Sequence, residues 1–342
     1  MGGGGGGGYP TGGFSNISSD ELKEIVRSKI QEQLDQVRTT RRESTLRNVV
    51  TNLGPDEIGI AFLDVGQGNC AVIKLPTGEV IVVDCNIKEA NVNIVDFLRR
   101  CGIDRIDVLV VTHPHADHMS GLEDISKNLS VGELWISPFE RDVSKLPEES
   151  RKEYEKFLTT VDSLARNGVP VRYPTASSSP HRKIGDTEIR VYSPSSGSPT
   201  EGEQNIHEAS IVMDVRLGGF SALFGGDLNE KGWEKVAQKY NIRSNVLNAS
   251  HHGSDVGCNE EAVKTVAPKY TVISVGENNF GHPNDDAVKT YEKYSKNGVL
   301  YTDEGTVGFR GKKDGSIRET SYDMSDSVAV GYAGLKVLGI IK

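Results

Sequence analysis

His113, Pro114, His115, Ala116, Asp117 and His118 follow, after Thr112, on the apolar run Val108-Leu109-Val110-Val111, so three imidazoles and a carboxylate stand within six residues at the end of an expected strand. Imidazole and carboxylate together suit zinc, with manganese or iron as weaker competitors. Four such groups this close read as a two-metal site. No helix aims all four inward at this spacing, so the segment is expected to be a tight loop. A chance cluster on a polar surface loop is a poor account, because the whole chain holds only eight histidines.

Three further segments complete a metal site if the chain folds back on this loop. Asp227 ends the run Ala222-Leu223-Phe224-Gly225-Gly226, whose glycines admit close backbone approach and whose carboxylate can bridge two cations. His251-His252-Gly253-Ser254 ends a second apolar run, Val246-Leu247-Asn248-Ala249. His207 stands just before the run Ile211-Val212-Met213-Asp214-Val215. His181 lies in a loop rich in serine, proline and arginine and reads as exposed and without a chemical role.

The elements that must position these groups are short. Apolar runs at 58–63, 70–74 and 80–83 predict adjacent strands, and further strands are expected near 133–136, 187–193, 211–217, 221–224, 246–249, 270–274 and 298–301. Helical patterns fall at about 90–101, 144–167, 229–240, 259–266 and 284–294. Strands and helices alternating in this way predict two sheets covered by helices. The charged helix at 146–166 reads either as a lid over the site or as a solvated covering helix. Residues 1–16, with seven consecutive glycines, predict a disordered tail. Over 17–45, Ser18 and Glu21 have capping-box spacing and Leu22, Ile25, Val26, Ile30, Leu34 and Val37 share one face, which predicts an amphipathic helix over 18–42. That stripe suits packing on its own chain, self-association or docking of a protein partner.

The formal net charge of −9 disfavours a surface that gathers phosphate backbones everywhere and leaves only local basic patches, at Arg99-Arg100, Arg182-Lys183, Arg310 with Lys312-Lys313, and Lys264. Four irregularly spaced cysteines without a CxxC pair point to reduced thiols in a cytoplasmic protein. No run is long and apolar enough to span a bilayer, so no membrane partner is expected.

The series His-x-His-x-Asp-His at 113–118, Gly-Asp at 226–227 and His252 resembles the metallo-β-lactamase fold hydrolases. Leu63-Asp64-Val65-Gly66-Gln67-Gly68, Leu223-Phe224-Gly225-Gly226-Asp227, His251-His252-Gly253-Ser254 and Gly281-His282-Pro283 narrow the likeness to the ComEC-type competence-protein domain and its stand-alone relatives. The resemblance covers about 57–320 and leaves 321–342 as a C-terminal extension. It implies a four-layer αββα sandwich with two divalent metals, zinc ahead of manganese, at one edge of the sheets. By the same resemblance His113 and His115 hold one metal, Asp117, His118 and His252 the other, and Asp227 bridges them. The wider superfamily puts a third histidine for the first metal where His207 stands, although ComEC-type members often carry asparagine or another residue there. Asp64 corresponds to an acid that supports the ligands without binding metal, and His251 then faces substrate. Asn279 and His282 match a segment that meets phosphate oxygens, with Ser254 and Gln67 as further substrate contacts. Gln67 reads equally as a turn residue, and Asp84 as a strand cap or a site residue.

The resulting expectation is phosphodiester hydrolysis by a hydroxide activated between two cations about 3.5 to 4 Å apart, with Asp117 orienting it and His251 or His282 assisting the leaving oxygen. A DNA or RNA nuclease is the leading reading. A cyclic nucleotide or phosphocholine-type ester is the small-molecule alternative, and lactone or thioester hydrolysis a remoter one. A reading of another class is a hydrolase subunit recruited into a multiprotein complex, such as a defence assembly, through its N-terminal helix.

Overall fold

Two β-sheets lie face to face. A computed structural model of the chain describes residues 28–29, 48–88 and 90–320, those from 48 onward falling within one unit, Thr45–Tyr322. Apart from residues 28 and 29, the expected tail and amphipathic helix lie outside the described residues, as does the extension at 321–342. In spatial order the first sheet runs Ile317–Glu319, Val307–Lys312, Glu57–Phe62, Ala71–Lys74, Val80–Val83, Val108–Val111, Leu134–Ile136 and Val171–Arg172. The second runs Gly298–Tyr301, Tyr270–Ile273, Val246–Asn248, Phe220–Phe224, Val212–Leu217, Thr187–Ser193 and Arg182–Ile184.

The inner faces meet in an apolar layer where Phe62 of the first sheet lies 5.8 Å from Phe224 of the second and 6.2 Å, edge-on, from Phe309. A second apolar layer joins the outer face of the first sheet to helices Ile94–Arg100, Leu122–Asn128 and Glu148–Arg166. A third joins the outer face of the second sheet to Glu230–Lys239, Glu260–Val266 and Asp285–Tyr294. The architecture is therefore the expected αββα sandwich. Strands such as Val80–Val83 and Val108–Val111 are buried along their whole length, which is why they read as unbroken β-branched and aliphatic runs. Four of these six helices begin on asparagine caps: the Asn93, Asn229, Asn259 and Asn284 side chains each accept from a first-turn amide. Each cap stabilises its helix by about 1 kcal/mol.

Strands at 171–172, 182–184, 307–312 and 317–319 escape the pattern reading. In Val307-Gly308-Phe309-Arg310-Gly311-Lys312 two glycines dilute the apolar signal, yet this strand pairs with Glu57–Phe62 over all six positions. The helix at 148–166 buries Tyr154, Phe157 and Leu164 and is a covering element.

One consequence of the topology positions the site. Val80–Val83 is parallel to Val108–Val111, and Phe220–Phe224 is parallel to Val246–Asn248 and then to Tyr270–Ile273. Their carboxyl ends therefore share one edge of the sandwich. Val212–Leu217 runs antiparallel to Phe220–Phe224, so the residues that precede it come to the same edge.

Candidate metal centre

The chain leaves the strand Val108–Val111 through a bend at His113 and Pro114, and His115, in extended backbone, then caps a single helical turn, Ala116–Met119. The motif is thus half loop and half helix, where a loop alone was expected. The reason is angular: a helical turn rotates successive side chains by about 100°, which turns Asp117 and His118 away from the first two histidines and toward a second set of donors.

Two donor sets result. Nitrogen or oxygen atoms of His113, His115, His207 and Asp227 lie within 4.8 Å of one another, and those of Asp117, His118 and His252 form a second group on the same criterion. The Asp227 carboxylate faces both: Oδ2 is 3.5 Å from His113 Nε2, and Oδ1 is 3.2 Å from His118 Nε2. Asp117 Oδ2 lies 3.1 Å from His252 Nε2 and 3.8 Å from His118 Nε2. A tetrahedral ion with ligands at 2.0–2.1 Å has donor–donor edges of about 3.3 Å, so these spacings are those of groups converging on cations.

The hydrogen bonds settle which nitrogens are available. His118 Nδ1 donates to Asp84 Oδ2 at 2.8 Å, and His252 Nδ1 donates to the Ser274 carbonyl at 2.8 Å. In the neutral rings both Nε2 atoms are then lone pairs aimed at carboxylate oxygens. His118 Nε2 and Asp227 Oδ1 are buried without a hydrogen-bond partner. A lone pair facing a lone pair in a buried site is costly unless a cation lies between them. The residues present therefore fit a pair of divalent ions.

Where no cation stands between them, the carboxylates draw protons onto His118 and His252 instead, and a proton there marks the place of a positive charge that a metal ion would take. Burial works against charge on His118 and His252, yet Asp227 and its neighbours Asp84 and Asp117 hold His118 well above the ordinary imidazole range, and Asp227 and Asp117 raise His252. Burial alone would raise Asp227, but the imidazoles of His118, His113 and His252 hold it well below the carboxylate range. His113 and His207 are pushed down mainly by burial, and His115 to about 4. These three rings are neutral at pH 7 and offer lone pairs, as metal ligands must.

The backbone is bent to make this possible. His251 (φ 51°) and His252 (φ 54°) are both left-handed, a conformation costing about 1–2 kcal/mol per non-glycine residue. The His251 amide bond to Gly226 O (3.0 Å) and the His252 bond to Ser274 O hold them there. Gly226 has φ 50°, and a Cβ on it would lie 2.6 Å from Ser210 Oγ and 3.1 Å from Thr112 Cβ, so only glycine lets Asp227 reach the edge. Strain of this kind gathers at functional sites.

Other candidate residues fall less uniformly. His207 comes within 5.7 Å of His113 and 5.1 Å of His115, ring to ring, and 4.4 Å of His251. His251 lies 5.3 Å from His282, and both Nδ1 atoms are buried without a partner. Asp64 receives hydrogen bonds from Asn91 at 3.1 and 3.2 Å. The carboxylate that orients a candidate ligand is instead Asp84, whose strand Val80–Val83 lies beside Val108–Val111, a pairing that no local pattern in the chain announces. Ser254, expected to meet substrate, is buried, its hydroxyl directed to Asp255 Oδ1 and the Val256 amide. Gln67 Oε1 accepts from the Gly276 amide (3.3 Å), which makes it a tether between two loops. Asn279 is exposed, and Asn278 organises its loop. His181, expected to be exposed, is half-buried, with Nε2 bonded to Thr175 O at 2.7 Å.

Sequence reasoning missed Arg141. Its guanidinium forks onto Glu203 (3.1 and 2.8 Å) and donates to Pro114 O (3.2 Å), tying the turn before His207 to the His113–His118 loop. Arg141→Lys keeps the charge and loses the fork. It is expected to weaken metal uptake by the His113/His115/His207 set about tenfold while sparing the other set. Calorimetric titration of the metal-free protein checks this, and two unchanged isotherms would reduce the pair to a surface contact. Beside Arg141 a cavity of about 400 Å³, lined by His113, Pro114, Phe139, Phe157 and Tyr173 among others, opens next to the first donor set.

Residues 63–219 match the family model described as Metallo-beta-lactamase superfamily. The chain carries a metallo-beta-lactamase domain. It is 29% identical over 225 residues to ComE operon protein 3 of Bacillus subtilis, 25% over 233 to competence protein ComA of Neisseria gonorrhoeae, and 26% over 238 to Recombination protein 2 of Haemophilus influenzae. These alignments take in 64, 67 and 68% of this chain but only 26, 29 and 26% of the relatives, so the chain spans about a quarter of their length. Its two His/Asp clusters are candidate sites for divalent metal ions. Among the described residues no helix is long and apolar enough to cross a membrane.

Proposed function

We propose that this metallo-beta-lactamase domain is a phosphodiesterase that cleaves nucleic acid, using His113, His115 and His207 at one divalent ion, Asp117, His118 and His252 at the other, and Asp227 between them. The observation that carries the reading is the division of the Asp227 oxygens between the two donor sets. Divalent cations held by these residues, zinc or manganese, would supply Lewis acidity to an in-line phosphoryl displacement and would make water a nucleophile near neutral pH. The chain's own groups do the rest. Asp117, about one-third exposed, accepts a hydrogen bond from the attacking water and orients it. His251 and His282 line the solvent side, and their pKa values are lowered, chiefly by burial. Neutral imidazoles there donate N–H to a non-bridging or leaving oxygen.

The names of two of the relatives, a competence protein and a recombination protein, favour a nucleic-acid substrate. The basic side chains bear on its form. Arg182 pairs with Glu133, Lys183 with Glu188, Arg310 and Lys312 with Glu57, Lys313 with Asp186, and Lys264 with Glu261. Cations already matched to acids of the same chain make a weak groove for duplex backbone, so a single strand suits the domain better. The same pairing, with the net charge of −9, supports the second reading, a small phosphodiester such as a cyclic nucleotide. Recruitment through the segment 18–42 stands as a further proposal about regulation.

Incubation of the full chain with zinc or manganese and single-stranded DNA, duplex DNA, RNA, cyclic nucleotides and bis(p-nitrophenyl) phosphate separates these readings. Cleavage of single-stranded polymer ahead of duplex is the expected result. Hydrolysis confined to the cyclic and aryl esters would reject the nuclease and keep the reaction class.

A further inference from the structure

Phe280 is 75% exposed, more than any other large apolar side chain of the described residues. It is not loosely held. Asn278 Oδ1 accepts from the Phe280 and His282 amides (3.0 and 3.2 Å), and its Nδ2 donates to Gly276 O and His282 O (2.9 and 2.7 Å). Both ends of this loop are tied to the body. A Cβ on Gly276 would lie 2.4–2.6 Å from the Gly66–Gln67 backbone, and the Asn284 amide bonds Gly253 O at 3.0 Å. A side-chain amide thus spends all its hydrogen-bonding capacity on a crown that displays an aromatic ring to water, where burial in the core would be worth more.

The ring stands at the mouth of the metal centre. Phe280 stacks on His282 (6.1 Å, 26°), His282 lies 5.3 Å from His251, and His251 Nε2 is 3.8 Å from Asp227 Oδ2. An unbroken row of planar groups leads from solvent to the Asp227 carboxylate.

We infer that Phe280 is a stacking platform for a nucleobase next to the scissile phosphate, which makes the substrate a single strand with unpaired bases. The inference rests on the nucleic-acid reading above and deepens it. A duplex buries both faces of every base in its own stack, whereas a single strand offers them freely, and aromatic side chains bind such faces without regard to sequence. With Arg182, Lys183, Lys264, Arg310, Lys312 and Lys313 matched by acids of the same chain, stacking supplies a grip that phosphate contacts at these residues do not.

The test uses the full chain and two strands that share one backbone: an ordinary oligothymidylate and an abasic strand of the same length. Phe280→Ala is expected to raise KM for the base-bearing strand about tenfold, kcat changing little, and to leave the abasic strand unaffected. Phe280→Trp should restore KM. Fluorescence anisotropy of the metal-free protein with the same strands gives a readout independent of turnover, and the same selective loss is expected in Kd. Equal losses on both strands, or none on either, would overturn the platform. A change of oligomeric state in Phe280→Ala with KM unaltered would also overturn it, assigning the ring to contact between copies. If the wild-type protein hydrolyses bis(p-nitrophenyl) phosphate but neither cleaves nor binds either strand, the nucleic-acid reading itself falls, and this inference with it.

Discussion

Asp227→Asn is expected to abolish metal binding at both donor sets and to reduce kcat/KM by about a thousandfold or more, since Lewis-acid stabilisation of the transition state is worth several kcal/mol and each 1.36 kcal/mol is tenfold. The carboxylate is nearly fully buried and offers one oxygen to His113 and the other to His118. Asparagine keeps the shape, removes the charge and replaces one oxygen by an NH₂ that repels a cation. The metal-free variant should stay folded but be less stable than the metal-free parent near neutral pH, because His118, His113 and His252 lose the carboxylate charge they stabilise. Elemental analysis, kinetics and thermal unfolding with and without chelator read the three effects. A variant that keeps two equivalents of metal would contradict the bridging assignment, and one that unfolds without chelator would make Asp227 a structural residue.

Asp84→Asn is expected to lower affinity for the second ion by ten- to a hundredfold while leaving the first set and the fold intact. Asp84 Oδ1 accepts from the Thr112 amide (2.7 Å), and Oδ2 from the Thr112 hydroxyl (2.9 Å) and His118 Nδ1 (2.8 Å). Its backbone is left-handed, φ 58°, a conformation asparagine tolerates. The carbonyl of the introduced side chain can keep the Thr112 amide, but its NH₂ then faces His118 Nδ1 and forces the proton onto Nε2. The ring loses the lone pair it directs toward Asp227. Metal titration resolved by set checks this, and equal weakening of both sets would show that the acid acts on the fold as a whole.

The two substitutions differ in how far their targets could be read beforehand. Asp227 was legible because Gly225-Gly226-Asp227 follows a run of apolar residues and belongs to a recognisable motif. Asp84 follows an equally apolar run, yet its role depends on Val80–Val83 lying beside Val108–Val111, which no local pattern states. Arg141 and Glu203 meet across 62 positions and left no trace in spacing. Phe280 reads in sequence as one more apolar residue in a glycine-proline loop. Its exposure follows from the Asn278 hydrogen bonds, and these exist only in the folded loop.

Local chemistry determined the identities: which residues can ligate a cation, where strands end and where asparagine starts a helix. These signals act over a few residues, so one chain segment carries them whole. Tertiary structure decided the rest by bringing strand ends together. Parallel pairing places Asp84, His113, Asp227 and His252 at one edge, and the antiparallel return of Val212–Leu217 adds His207. A single helical turn then splits one histidine motif between two donor sets. Convergence of this kind is a property of strand order and direction, and those arise from burying two sheet faces against each other.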